Sequence, residues 1–328
     1  MHEQAESYLR QAISNKPKEF WSYVYLSTCL NKQKKHSQAL EIAFFSKTFL
    51  NSKDKPYYYR LLGVTYYLLG SYELAIQSYG NSFQIQQEED KYYYNAKFYL
   101  GNSHVKNGNF EKAKEILESL FYKLDEGFRE IFYRALAETY EGLKDYSYAS
   151  SYYNELVELY PKSEYYNWKA GQICQLNDSM DLAIGYFEKG IALAPESICH
   201  WHQKAYCLLS IEDIQVTISF VEEALKVWPK DRYLIELQSA AYIQAKEPEM
   251  SLKWIMQGEN LGFYGPCLLC SKICVYFLKQ ANEMALDLLK QLVKQPDWGS
   301  KCFIASLDCL TEQLKLHGIP DFESLAQL

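Results

Sequence analysis

A small side chain returns along this chain at Ala39, Ala75, Ala113, Ala149, Ala183, Thr217, Ser251 and Ala285, at intervals of 36, 38, 36, 34, 34, 34 and 34 residues. Thirteen positions before four of these stand Leu62, Leu100, Leu136 and Ala170, so the step inside each clear unit is constant. Only the first three intervals exceed 34, by two to four residues. A recurrence of this length means that each unit is one supersecondary element, unable to bury its apolar face except against its neighbours. It also explains a length of 328 residues without two conventional domains, because such a core grows in one direction.

The residue types inside the period fit paired helices. Gly63, Gly101 and Gly171 in the first helix, and Ala75, Ala113, Ala149 and Ala183 in the second, let the two axes approach closely. Tyr66, Tyr140, Tyr79, Tyr153 and Phe187 then wedge between helices and carry buried area, worth about 1.5–3 kcal/mol for a fully buried ring. Pro161, Pro195 and Pro229 stand where a second helix must stop, because proline lacks the donor and disfavours helix before it.

The pattern Leu62-Gly63-x2-Tyr66, Ala75-x3-Tyr79, with Leu136-Ala137-x2-Tyr140, Ala149-x3-Tyr153 and Pro161, resembles the tetratricopeptide repeat, a helix–turn–helix unit. The resemblance runs over essentially the whole chain. It implies an all-α fold, a right-handed superhelical solenoid of helix–turn–helix repeats. The expected organisation is an orphan second helix over residues 1–19, eight repeats over 20–297, and a capping helix with a tail over 298–328. Ala5, Leu9, Ala12 and Pro17 keep register with the later second helices, so either the natural chain begins further upstream or this helix caps the stack. At the other end Ser300 is placed to N-cap a helix carrying Phe303, Leu307, Leu310 and Leu314, stopped by Gly318.

Composition narrows the function. The net charge is −7, and no basic stripe of the kind that neutralises phosphates is present; Lys32, Lys34, Lys35 and His36 read as a solvated turn. Nine irregularly spaced cysteines do not make a disulfide framework, and with no secretory signal or membrane-length apolar run the expected location is cytoplasmic. Cys267-x2-Cys270-x3-Cys274 puts three sulfurs on one helix face without a fourth ligand, which reads as core filling rather than zinc. His200 and His202 flank Trp201 at a spacing that points them apart on a helix. No phosphate-cradling glycine loop, His-Glu-x2-His helix or nucleophile elbow occurs, so neither an enzyme, a cofactor nor a metal is expected.

What remains is binding. In proteins that this chain resembles, the first helices line a concave inner wall that receives the ligand. Mapping that register here selects Trp21, Tyr57, Arg60, Phe98, Asn102, Arg134, Tyr165, Trp168, Lys169, His202 and Tyr206 as partner contacts, with Arg60, Arg134 and Lys169 as anion contacts. Some members of that family grip the C-terminal carboxylate of heat-shock chaperones with a lysine–asparagine–lysine–arginine clamp. Asn102 matches one clamp position, but Val64 stands one unit earlier and the basic partners do not line up. The expectation is therefore a scaffold or adaptor holding an extended or helical protein segment by aromatic contact. The alternatives are the recruiting region of a larger enzyme or complex, and a homodimer through the end helices. Thirty tyrosines, with triplets at 57–59 and 92–94, supply rings both for packing seams and for such a groove.

Overall fold

A computed structural model describes residues 2–85, 91–293, 310, 311 and 313–316, and among these all regular structure is helical. Contacts divide the chain into two compact units, residues 1–159 and 160–328. In the first, α1 (His2–Asn15) precedes the pairs α2 (Phe20–Lys32) with α3 (His36–Ser46), α4 (Lys55–Leu68) with α5 (Tyr72–Ile85), α6 (Lys91–Lys106) with α7 (Phe110–Glu118), and α8 (Arg129–Gly142) with α9 (Tyr146–Leu159). The second holds α10 (Glu164–Leu176) with α11 (Met180–Leu193), α12 (Ile198–Ser210) with α13 (Ile214–Val227), α14 (Arg232–Gln244) with α15 (Pro248–Asn260), and α16 (Pro266–Leu278) with α17 (Asn282–Val293).

One backbone device makes all eight pairs. The residue five before each recurring small side chain takes a left-handed conformation, with φ between +56° and +76°: Lys34, Gly70, Gly108, Lys144, Asp178, Glu212, Lys246 and Gln280. Around it the first helix closes with crossed hydrogen bonds. Lys144 N–H donates to the Glu141 carbonyl, and Asp145 N–H reaches back to Tyr140 at 2.9 Å. This is the Schellman arrangement, which satisfies carbonyls left over at a helix end. The residue after the turn starts the second helix at once, as when Ala149 N–H donates to the Asp145 carbonyl.

The small residues then sit at the tightest point between the paired helices. All eight of them are fully buried. A Cβ on Gly63 would lie 2.7 Å from the Tyr79 ring, and one on Gly171 would lie 2.6 Å from Phe187, so glycine is required by close approach at both positions. Where the first helix carries serine instead, the contact is polar: Ser27 Oγ donates to the Ala39 carbonyl at 2.7 Å, and Ser251 Oγ to the Ser239 carbonyl at 3.0 Å.

Prolines end second helices and also anchor the following unit. α9, α11 and α13 stop two residues before Pro161, Pro195 and Pro229. The carbonyls of Pro17, Pro161 and Pro195 accept hydrogen bonds from Tyr23, Asn167 and Trp201, each six positions on. The first and third of the longer early junctions include a 3-10 turn each, at Lys47–Phe49 and at Glu126–Phe128. Tyr122, in the second of these stretches, has φ +65° and is 96% exposed, and nothing in the structure explains an aromatic residue there.

At the start, α1 lies on α2, with Leu9 and Ile13 against Leu26, Leu30 and Ala39. Of the helix expected from Ser300 to Gly318, Leu310 and Leu314 are buried against the core of α16 and α17. Ser300, Phe303, Leu307 and Gly318 lie outside the described residues.

Candidate binding groove

Within the first unit, α2, α4 and α6 enclose a cavity of about 520 Å³ whose wall is largely aromatic. Trp21 and Tyr25 come from consecutive turns of α2, Tyr57 and Arg60 from α4, Tyr92 and Tyr99 from α6, and Tyr79 from α5. Trp21 meets Tyr57 edge-on at 5.1 Å between centroids, and the Arg60 guanidinium lies over the Tyr57 ring at 5.5 Å. Arg60 is nearly buried, and its Nε donates to Ser82 Oγ at 3.3 Å, which in turn donates to the Pro56 carbonyl. Tyr79 is 1% exposed, burial pushes its phenol well above the usual range, and its hydroxyl has no hydrogen-bond partner among the described residues. By contrast Tyr25 and Tyr92, at 57% and 66% exposure, present open rings.

Trp21, Tyr57 and Arg60 thus share one cavity, together with the neighbouring Val24, Thr28 and Val64 of the same stripe. The sequence register fails on α6. Phe98 is fully buried, packed edge-on against Phe128 at 5.5 Å and near Phe132 at 6.4 Å, so it is not available to a partner. Asn102 is also buried, and its Nδ2 donates to the Tyr67 hydroxyl at 2.9 Å, which ties α6 to α4. The face of α6 that lines the cavity is instead Tyr92, Ala96 and Tyr99. Phe98 precedes Ala113 by fifteen positions as Arg60 precedes Ala75, so the same register that reaches the cavity on α4 selects on α6 a stripe packed against Phe128 and Phe132. Arg134, on α8, is partly buried and does not line this cavity.

The remaining predicted contacts belong to the second unit. Tyr165 is 45% exposed and meets Tyr166 edge-on. Trp168 packs on the Cys174–Phe187 core, with the Lys169 ammonium 5.9 Å from its ring. Tyr206 is partly buried. His202 Nε2 lies 2.9 Å from Asp231 Oδ1, and its ring meets Tyr233 at a tilt, 4.6 Å between centroids. Burial would raise Asp231, but the hydrogen bonds from His202 and the Leu234 amide outweigh it and hold the carboxyl below its usual range. His200, its neighbour in sequence, is fully buried against Gly190, and Trp201 stacks on Phe220 at 5.0 Å. Cys267, Cys270 and Cys274 are buried in α16, and no group of metal-ligating side chains is assembled among the described residues. Another depression, of about 610 Å³, is lined by Leu252 and Met256 of α15 together with Lys230, Glu249 and Lys253. It lacks convergent aromatic rings.

The other rings that line the cavity, Tyr25, Tyr79, Tyr92 and Tyr99, carried a signal in the sequence. Tyr25 follows Trp21 by one helical turn, and Tyr92 opens the second tyrosine triplet.

Residues 95–123 and 135–163 match the tetratricopeptide repeat family model, and the same left-handed turn and buried small residue recur in all eight pairs. The chain contains tetratricopeptide repeats. No curated protein matches it. Among solved structures, a tetratricopeptide repeat protein from Parabacteroides merdae is similar over 80% of this chain and 98% of its own, at 15% identity and a TM-score of 0.53. The C-terminal part of a repeat-containing protein from Cytophaga hutchinsonii is similar over 81% and 99%, at 18% identity and a TM-score of 0.53. At these identities the likeness is one of fold. Among the described residues, no helix is long and apolar enough to cross a membrane.

Proposed function

We propose that this protein is a binding scaffold that holds an extended segment of a partner protein in the aromatic cavity of α2, α4 and α6. The carrying observation is convergence: rings from three successive first helices border one open space, and Tyr25 and Tyr92 leave most of their surface uncovered. Aromatic rings offer large contact area with few rotatable bonds, so they bind a flexible segment at low entropic cost. A protein built from repeats has no need of those exposed rings for its own core, since the packing positions are already filled by Tyr79, Tyr153 and Phe187.

The test is a titration of the full chain with a mixed-sequence peptide library, read by selection on immobilised protein. The paired variant Tyr25→Ala with Tyr92→Ala should lose the enriched peptides at least tenfold while its circular dichroism and melting temperature stay those of the parent. Equal enrichment by parent and variant would remove this cavity from consideration.

A further inference from the structure

We infer that the second helices of the unit over residues 160–328 carry a further binding surface, which takes a basic segment of a partner protein bearing apolar side chains. The residue just before each recurring small side chain is Leu182 on α11, Val216 on α13, Met250 on α15 and Met284 on α17. All four are exposed, at 61%, 47%, 36% and 53%, while the small residue beside each is buried. One such side chain per repeat, at one position of successive pairs, makes a row.

The fold does not require these side chains. In the first unit the same position holds Gln38, Leu74, Lys112 and Tyr148, so a polar residue starts an equivalent helix equally well. Leucine and methionine have no advantage in helix propensity over glutamine or lysine, and valine is worse. Apolar side chains left in water at one position of four consecutive repeats mark a surface for a partner.

Charge selects the partner. The turns and helix starts that carry the row, residues 177–182, 211–216, 245–250 and 279–284, hold seven carboxylates against Lys246 and Lys279. Lys279 is paired with Glu249 at 3.4 Å. Asp178, Asp181, Glu212, Asp213, Glu247 and Glu283 are exposed, and none of them is in an ion pair among the described residues. Asp213 and Glu247 stand at helix N-caps without making a side-chain cap bond, so they are not spent on capping. The corresponding segments of the first unit, 33–38, 69–74, 107–112 and 143–148, hold four lysines against three carboxylates. Apolar row and acidic border thus occur together, in the second unit. Such a border repels nucleic acid, an anionic lipid surface and a second copy of itself, and it attracts lysine and arginine.

The probe is a fluorescein-labelled amphipathic peptide of leucine and lysine, compared by anisotropy with its leucine–glutamate counterpart on the full chain. The lysine peptide should bind at least tenfold tighter. Its binding should fall at least tenfold in Leu182→Ser with Val216→Ser and Met250→Ser, and likewise in Glu212→Gln with Asp213→Asn and Glu247→Gln. All these side chains are exposed, so circular dichroism should stay that of the parent. Val216→Ser alone, with at least a threefold loss, serves if the triple variant does not fold. Equal binding of the two peptides overturns the proposal, and so does a loss confined to the charge variant, which would be unspecific attraction. A loss produced only by Tyr25→Ala with Tyr92→Ala would assign the peptide to the cavity and overturn it as well. Self-association of the parent in light scattering, abolished by the serine variant, would give the row to a second copy instead.

Discussion

Asn31 Nδ2 donates a hydrogen bond to Thr65 Oγ1 at 2.9 Å, thirty-four positions along the chain. Both groups are buried, Asn31 near the end of α2 and Thr65 near the end of α4, so the bond joins one repeat to the next through the core. The part-buried bond from Asn102 to Tyr67 and the more exposed Lys106–Glu138 ion pair at 2.6 Å also join successive first helices. Polar contacts of this kind fix how neighbouring units register, a matter on which apolar packing alone is permissive.

Thr65→Val should therefore cost about 1–3 kcal/mol, because it keeps the shape and leaves the Asn31 amide buried without its acceptor. Adding Asn31→Leu should return part of that loss, giving a non-additive cycle. Urea denaturation of the two single variants and the pair measures it, and strict additivity would show that the bond does not couple the repeats.

Six of the eight left-handed turn residues are not glycine. A side chain in that conformation costs about 1–2 kcal/mol, and glycine returns about 0.5–1 kcal/mol of that as unfolded-state entropy. Lys144→Gly should thus stabilise by up to about 1 kcal/mol, with a raised denaturation midpoint. A lowered midpoint would mean that the lysine side chain makes a contact worth more than the strain.

Glycines in one helix pair should respond oppositely to alanine. At Gly171 the new Cβ meets the fully buried Phe187 ring at 2.6 Å, an overpacking cost of about 1–3 kcal/mol. At Gly185 nothing lies within 4 Å, so the gain in helix propensity of about 1 kcal/mol should appear undiminished. Thermal melts of the two variants moving in the same direction would contradict the packing described.

The attachment of α1 should weaken in acid. Hydrogen bonds from Arg10, Gln33 and Lys35 lower the Glu6 carboxyl from 4.5 to about 2, and the latter two bind it to the turn after α2. Because the folded value is the depressed one, this contribution is complete above about 4.5 and is lost as pH falls toward 2. Amide protection in α1 should drop between pH 5 and pH 2.5 relative to α4, and Glu6→Gln should show low protection at both. A pH-independent protection ratio in the parent would be the contrary result.

The repeat was legible because its causes are local in sequence. A left-handed turn, a helix start two residues later and a small side chain five residues on are fixed by chain geometry, so Ala75, Ala183 and Ala285 reveal it by spacing alone. The aromatic wall of the cavity was legible only in part. Trp21, Tyr57 and Arg60 follow the period, but Phe98 and Tyr92 lie on one helix and differ only in which neighbour their face meets. No periodicity distinguishes an aromatic side chain that fills a seam from one that borders open space, since both need the same ring at helical spacing.

The sequence by itself thus determined the paired helices, their turns and the close-approach positions, each of which depends on residues within about a dozen positions of one another. Tertiary structure decided which tyrosines remain uncovered, that Phe98 and Asn102 are taken up between repeats, and that Tyr79 keeps a buried hydroxyl beside the cavity. Those outcomes depend on the rotation of each helix against the next, which sums small contributions from side chains in different repeats and is written in no single stretch of the chain.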